Sequence, residues 1–294
     1  MTMKRIRFAV LSLSIVALAV AFQYRSGKEL LRAGSALKKC RAAFAPRSVF
    51  AQSGVLWSAN METGGQDLSQ WYFGLNSTTT PCCSEGNPGG GIFNSGIASA
   101  GPSFDVAHGG TYSALLKIST PSNPTSGTRL FRWIEPQTYS DLYYGVWYYF
   151  PQGYTPTTFW NVFQWKSKGT VEGNNPFFIL NVGNRPPGDT NPGAMFFYLY
   201  NQNTLTSYSP QTYINVPVAG WTHVQAHYVC DPVNGHVTFW QDGTQIFDVS
   251  SVGTRYADGD CQWSVNNYSD SISPTPATIY VDDAAICSSQ ASCQ

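Results

Sequence analysis

The chain has 294 residues and a formal net charge of +0, but its charged residues are divided very unevenly. Ten of the 17 basic residues precede Ser48, which leaves residues 48–294 with seven basic and 16 acidic side chains and a net charge of −9. Nucleic acids are bound through Lys and Arg contacts to phosphate, so this acidic body argues against nucleic acid as a partner.

The N-terminus has the pattern of a secretion signal. Three basic residues among the first seven precede an apolar run from Phe8 to Ala21, which ends in Ala-Val-Ala. The run is shorter than the ~20 apolar residues of a membrane-spanning helix, and an uncleaved signal anchor is the alternative. We predict a signal peptide over 1–21, a basic leader over 22–52 and one exported domain over 53–294. That domain is extracellular or periplasmic and has no membrane attachment once the signal is removed.

Beyond the leader, the sequence has the pattern of a β protein. At least ten short segments rich in aromatic and β-branched residues alternate with clusters of Gly, Pro, Asn, Asp and Ser. One hairpin is marked by HVTFW, an Asp242-Gly243 turn and TQIFDV. No repeat of 20 to 50 residues indicates a propeller or a solenoid. We predict an all-β fold with two antiparallel sheets face to face, a jelly-roll sandwich.

The cysteines agree with export. The body holds six of them, none in a spacing typical of a zinc site, and an exported chain with six cysteines is expected to form disulfides. We favour the pairs Cys230–Cys261 and Cys287–Cys293, and we leave the partners of Cys82 and Cys83 open.

The basic residues of the body are concentrated in one region. Five of the seven lie between positions 117 and 168, namely Lys117, Arg129, Arg132, Lys166 and Lys168. Strict alternation in FWNVFQWKSK places Gln164, Lys166 and Lys168 on one face and Asn161 on the other, with the aromatic residues. The two arginines of TRLFRWIE fall on opposite faces, so we expect one of them to join Gln164. Such a strip would suit a uronic-acid polymer; solvated charges outside a sheet are the alternative.

Several motifs resemble the concanavalin A-like jelly-roll polysaccharide lyases, of the heparin-lyase and alginate-lyase type. TRLFRW is similar to their Arg-rich strand, VFQWK to their Gln-x-His strand, and WSVNNYSDS to a late strand with an active tyrosine. The segment from WTHVQAHYV to FWQDGTQIFD resembles a Trp-x-x-Val strand and Asp-Gly hairpin of the same lectin/glucanase type of fold. The sequence departs at Lys166, where the lyases have His, and in lacking the acid between the two arginines.

The resemblance implies cleavage of a uronate-containing acidic polysaccharide by β-elimination. That reaction needs the uronate carboxylate to be neutralised, and we assign Arg132, Gln164 and Lys166 to this task. A base must take the C5 proton and an acid must serve the leaving oxygen, and Tyr268 can do both. We expect further substrate contacts from Lys117, Arg129, Lys168, Tyr198 and Tyr200.

Three other functions are weighed against a lyase. The first is a non-catalytic carbohydrate-binding or laminin-G-like domain, and the second is a surface protein whose sandwich only packs or oligomerises. The third is a retaining glycosidase, which needs paired carboxylates. The body contains four glutamates, none in such a spacing, so hydrolysis is disfavoured.

A structural calcium ion is a separate expectation from the resemblance. Related jelly rolls pair their first and last strands and often hold calcium between them, and ANMETGG and IYVDDAAI resemble those strands. This would place Glu62 near Asp282 or Asp283, whose oxygen ligands are the kind that calcium requires. Acids that cap strand ends in solvent are the alternative. No other cofactor is expected.

Overall fold

A computed structural model describes residues 54–62, 68–72, 89–119, 125–134 and 139–294. They belong to one compact unit over Ser53–Gln294. The signal peptide and the leader predicted from the sequence, with Cys82 and Cys83, lie outside the described residues. In the described ranges no helix is long and apolar enough to cross a membrane.

Strands make up nearly all of the regular secondary structure in the described residues, as the sequence predicts. Two short 3₁₀ helices cover Ser69–Tyr72 and Gln290–Ser292. The strands are β1 Val55–Ala59, β2 Gly90–Ser95, β3 Ala98–Ser103, β4 Ser113–Ile118, β5 Ser126–Ile134, β6 Asp141–Tyr149, β7 Thr155–Pro156, β8 Trp160–Gly169, β9 Gly173–Asn184, β10 Met195–Asn201, β11 Thr206–Tyr208, β12 Trp221–Val229, β13 Gly235–Gln241, β14 Thr244–Val252, β15 Asp260–Ser269, β16 Ile272–Ser273 and β17 Ala277–Cys287.

The strands pair into two large antiparallel sheets, which confirms the predicted sandwich. The back sheet has the order β14-β13-β12-β6-β17-β4-β3, with β1 paired to β17. The front sheet has the order β11-β10-β9-β8-β15-β5-β2. Strands β7 and β16 form a small separate pair. The pairing of β1 with β17 joins the first and last described strands, as the sequence led us to expect.

Aromatic side chains fill the space between the two sheets. Trp165 on β8 stacks on Tyr228 of β12 with ring centroids 4.1 Å apart, and Trp263 on β15 packs against Tyr144 of β6 at 5.2 Å. All four rings are buried. Large aromatic rings contribute much apolar area to a core. Because side chains alternate along a strand, these inward rings turn the intervening residues of the front sheet outward.

Both favoured disulfides are confirmed. Cys230 directly follows β12 of the back sheet and Cys261 lies on β15 of the front sheet, so their bond ties the two sheets together. A cross-link closing a loop of 31 residues stabilises the fold by about 3–4 kcal/mol through the unfolded chain. The second bond, Cys287–Cys293, anchors the C-terminal 3₁₀ turn to the end of β17.

Candidate active site

A cleft of about 640 Å³ lies on the outer surface of the front sheet. It crosses the strands from β5 through β15, β8 and β9 to β10 and β11. Its lining residues are Arg129, Thr158, Phe159, Asn161, Gln164, Lys166, Pro176, Ile179, Asn181, Tyr198, Tyr200, Gln202, Ser207 and Tyr268.

Strand pairing arranges the floor of the cleft in rows that run across the sheet. One row, the tyrosine row, consists of Tyr198, Asn181, Asn161 and Tyr268, each paired with the next on the neighbouring strand. A second row pairs Tyr200 with Ile179 and Ile179 with Gln164. Lys166 lies two residues beyond Gln164 on the same face of β8. The pairing register between neighbouring strands therefore brings residues that are distant in sequence together in the cleft.

A bulge in β8 brings Asn161 to the cleft and corrects the predicted alternation. The register with β9 shifts between Asn161 and Phe163. Val162 and Phe163 are both fully buried in the core, so two successive residues point inward. Asn161 then points the same way as Gln164, and not the opposite way. A bulge of this kind re-aims a side chain without ending the strand.

Arg129 and Tyr268 form a stacked pair at one end of the cleft. The Arg129 guanidinium lies 4.1 Å from the centre of the Tyr268 ring and 5.4 Å from the centre of the Phe93 ring. Burial lowers the pKa of Arg129, and the contact with Tyr268 opposes that shift. Gly127 pairs with Tyr268 on β5, and any Cβ at position 127 would collide with the tyrosine ring. The strand therefore needs a glycine there for Tyr268 to lie flat beside Arg129.

Lys166 supplies the second positive charge of the cleft. Its side chain is half-buried, and this burial lowers its pKa to about 8, with the nearby charge of Arg129 acting in the same direction. Two cations thus approach each other in a partly desolvated site. A carboxylate placed between them would relieve their repulsion.

A chain of buried amides leads to Gln164. Asn266 Nδ2 donates to Asn161 Oδ1 at 2.8 Å, and Asn161 Nδ2 donates to Gln164 Oε1 at 3.1 Å. All three side chains are at most 3% exposed. Because Oε1 of Gln164 is already used, its Nε2 hydrogens are the group that remains for a ligand in the cleft.

Six of the residues predicted from the sequence line this cleft: Gln164, Lys166, Tyr268, Arg129, Tyr198 and Tyr200. Arg132 does not, and its assignment to substrate is corrected. It is fully buried on the inward face of β5, donates from Nη1 to the carbonyl oxygen of Trp71 at 2.9 Å, and lies 4.9 Å from the Trp57 ring. Arg129 and Arg132 are three residues apart, so only one of them can face the cleft.

Two predicted lysine contacts are also corrected. Lys168 is exposed and does not line the cleft, although it shares a face with Lys166. Lys117 belongs to β4 of the back sheet, and its neighbours Leu116 and Ile118 are fully buried in the core. Lys117 therefore points away from the sandwich on the side opposite the cleft.

Sequence reasoning missed the amides of the cleft. Asn161 was predicted on the wrong face, and Asn181 and Asn266 were not singled out. The available signal was polar residues in the middle of strands otherwise rich in apolar residues, since a buried amide must find hydrogen-bond partners.

The two acids predicted to hold calcium accept hydrogen bonds from one loop. Glu62 Oε1 accepts the backbone N–H groups of Thr111 and Tyr112 at 2.7 and 2.6 Å, and Asp282 Oδ2 accepts that of His108 at 2.9 Å. Burial raises the pKa of Asp282 to about 6. Over the described part of the chain, no group of three or more His, Cys, Asp and Glu side chains could hold a metal ion. A calcium ion between the strands stays a prediction.

The chain is similar in fold to solved polysaccharide lyases. An endo-β-1,4-glucuronan lyase from the fungus Trichoderma reesei matches with a TM-score of 0.50 at 12% identity, over 69% of this chain and 92% of the lyase. An alginate lyase from Pseudomonas aeruginosa matches with a TM-score of 0.44 at 10% identity, over 59% and 82%. One from Chlorella virus gives 0.41 at 8% identity, over 63% and 88%.

The similarity to the glucuronan lyase confirms the jelly-roll fold on which the predicted resemblance rests. At such a low identity it concerns the fold alone. No family model and no curated protein matches the chain.

Proposed function

We propose that this protein is a secreted polysaccharide lyase that cleaves a uronate-containing acidic polysaccharide by β-elimination. The observation that carries the proposal is the convergence of Arg129, Lys166, Gln164 and Tyr268 on one cleft of the front sheet. The four residues come from three strands and combine positive charge, an amide donor and a phenolic hydroxyl. The fold shared with a glucuronan lyase is a weaker support.

The first task of the site is to neutralise the uronate carboxylate. The C5 proton becomes acidic only if the negative charge that develops on the carboxylate is stabilised. Lys166 and Gln164 lie on the same face of β8, and Arg129 approaches from β5. In this proposal Arg129 takes the role that the sequence assigned to Arg132.

The second task is proton transfer, which we assign to Tyr268. Its deprotonated oxygen takes the C5 proton, and the C5–H electron pair forms the C4=C5 double bond. The bond between C4 and the leaving oxygen breaks, and that oxygen receives a proton from the phenol. One sugar chain thus ends in an unsaturated uronate, the other in a free hydroxyl, and no water is consumed. One residue can serve both steps because the two protons lie near the same bond.

Secretion is part of the proposal. Two disulfides support it, because such bonds form and persist in oxidising compartments. The signal-like pattern of the first 21 residues points the same way.

The reaction is tested by incubating the full-length protein with uronate polymers and recording the ultraviolet absorbance of the unsaturated product. We expect product from wild type and none from Tyr268→Phe, which keeps the ring stacked on Arg129 and removes only the hydroxyl. Circular dichroism and thermal unfolding verify that the variant is folded. Binding of polymer without any unsaturated product would favour the non-catalytic carbohydrate-binding alternative.

A further inference from the structure

The cleft contains few of the protein's positive charges. Of the seven cations after residue 47, only Arg129 and Lys166 line it. The other five are Lys117, Arg132, Lys168, Arg185 and Arg255. The sequence had suggested substrate roles for five of the seven, and the fold leaves two of them in the cleft.

Both charges lie on the β5–β15–β8 side of the cleft, Arg129 at its edge and Lys166 beside β9. Arg129 lies on β5 and Lys166 on β8, close enough for each to feel the other's charge. The opposite end, over β9, β10 and β11, is lined by uncharged side chains. These are Asn181, Tyr198, Tyr200, Gln202 and Ser207.

An acidic residue, Asp270, lies in the turn that follows β15, beside the cleft. Burial raises the pKa of Tyr198, and the negative charge of Asp270 adds to that shift, which places the carboxylate within electrostatic reach of the ring. Thr158, which lines the cleft, donates a hydrogen bond to Asp270.

The cleft is long enough for several sugars. From β10 to β5 there are four strand spacings, which amounts to about 19 Å. A polymer with a carboxylate on every sugar would therefore put unpaired charges over Tyr198 and Tyr200. Desolvating an unpaired charge is costly, whereas the apolar C–H faces of a neutral sugar can pack on tyrosine rings.

We infer that the substrate is an unsulfated acidic heteropolysaccharide in which each uronate is flanked by neutral sugars. The uronate occupies the Arg129–Lys166 end and the neutral sugar occupies the Tyr198–Tyr200 end. This inference rests on the proposed lyase function and narrows its substrate class.

The test compares four polymers with the full-length protein at one ionic strength. In glucuronan and alginate every sugar is a uronate, whereas in hyaluronan and heparosan a uronate alternates with N-acetylglucosamine. We expect kcat/KM to be higher by about tenfold or more for the alternating polymers, because they avoid the unpaired charges. Equal or better cleavage of glucuronan or alginate would overturn the inference and leave the lyase function intact. Unsaturated product from none of the four would refute the lyase function itself.

A charge-adding variant tests the position of the neutral end. Tyr200→Lys is expected to raise kcat/KM on glucuronan relative to hyaluronan, because the new cation can pair with a second uronate. Val233→Lys adds the same charge on a turn between β12 and β13 of the back sheet, where the side chain is 66% exposed, and serves as the matched control. If the ratio of kcat/KM on glucuronan to kcat/KM on hyaluronan is the same in Tyr200→Lys and Val233→Lys, the assignment of the neutral end is contradicted.

Discussion

The guanidinium of Arg129 lies 4.1 Å from the centre of the Tyr268 ring, so the cation is stacked on the same side chain that carries the proposed catalytic hydroxyl. The two residues are 139 positions apart in sequence and meet because β5 and β15 are neighbours in the front sheet. A planar guanidinium can stack on an aromatic ring while its N–H groups remain available for a carboxylate.

This stacking predicts that a positive charge at position 129 is not enough for full activity, because the planar contact with Tyr268 is also needed. Arg129→Lys keeps the charge and loses the planar contact with Tyr268, and we expect kcat/KM to fall by roughly 10²-fold, as for the loss of one donor to developing charge. Steady-state rates on the best polymer measure the effect. Lys168→Gln removes an exposed charge outside the cleft and should leave the rate unchanged. Similar losses in both variants would indicate only a general effect of charge.

The lowered pKa of Lys166, about 8, predicts an alkaline limit to activity. The protonated ammonium is the form that neutralises the substrate, so it is present below this pKa and lost as the pH rises through it. We expect kcat/KM to decline above pH 8. Lys166→Arg should move the decline to higher pH, since a guanidinium stays protonated there. An identical alkaline limb in wild type and variant would assign the limit to another group.

The chain of amides predicts that Asn266 positions Gln164 without touching the substrate. Asn266→Ala removes the donor to Asn161, and we expect kcat to fall by about tenfold with little change in KM, together with a loss of roughly 1–3 kcal/mol of stability. Asn267 is the matched control. It is also fully buried, but it faces the core and donates to the carbonyl oxygens of Leu116 and Ala277. Asn267→Ala should destabilise the fold and preserve kcat. If both variants lose kcat in proportion to stability, Asn266 is merely structural.

The raised pKa of Asp282, about 6, predicts a pH-dependent contribution to stability. Because the folded pKa exceeds the unfolded value of 3.8, the folded state binds the proton more tightly. The group's favourable contribution is therefore largest at low pH and is lost as pH rises from about 4 to 6, on the order of 1–3 kcal/mol in all. Urea unfolding of wild type and Asp282→Asn at pH 4 and pH 7 measures it. Relative to Asp282→Asn, wild type should have a larger free energy of unfolding at pH 4 than at pH 7. A difference between the two proteins that is the same at both pH values would contradict the assignment.

Much of the fold could be predicted because its signals are local. Strands are indicated by the alternation of aromatic and β-branched residues, and a hairpin is indicated by the Asp242-Gly243 turn. The disulfide pairs could be predicted from the positions of the cysteines along the chain. Both favoured disulfides and the two-sheet architecture are confirmed. Gln164, Lys166 and Tyr268 could likewise be singled out, from their motifs.

The composition of the cleft depended on tertiary packing. Alternation along β5 predicts that Arg129 and Arg132 face opposite sides of the sheet. Which of the two is buried is decided only by the packing of the back sheet against the front sheet. The bulge at Val162 and Phe163 returns Asn161 to the cleft, and the crossing of the chain between sheets sends Lys117 to the far side. Local sequence pattern sets the relative direction of neighbouring side chains, whereas burial of apolar surface between two sheets sets which direction is inward.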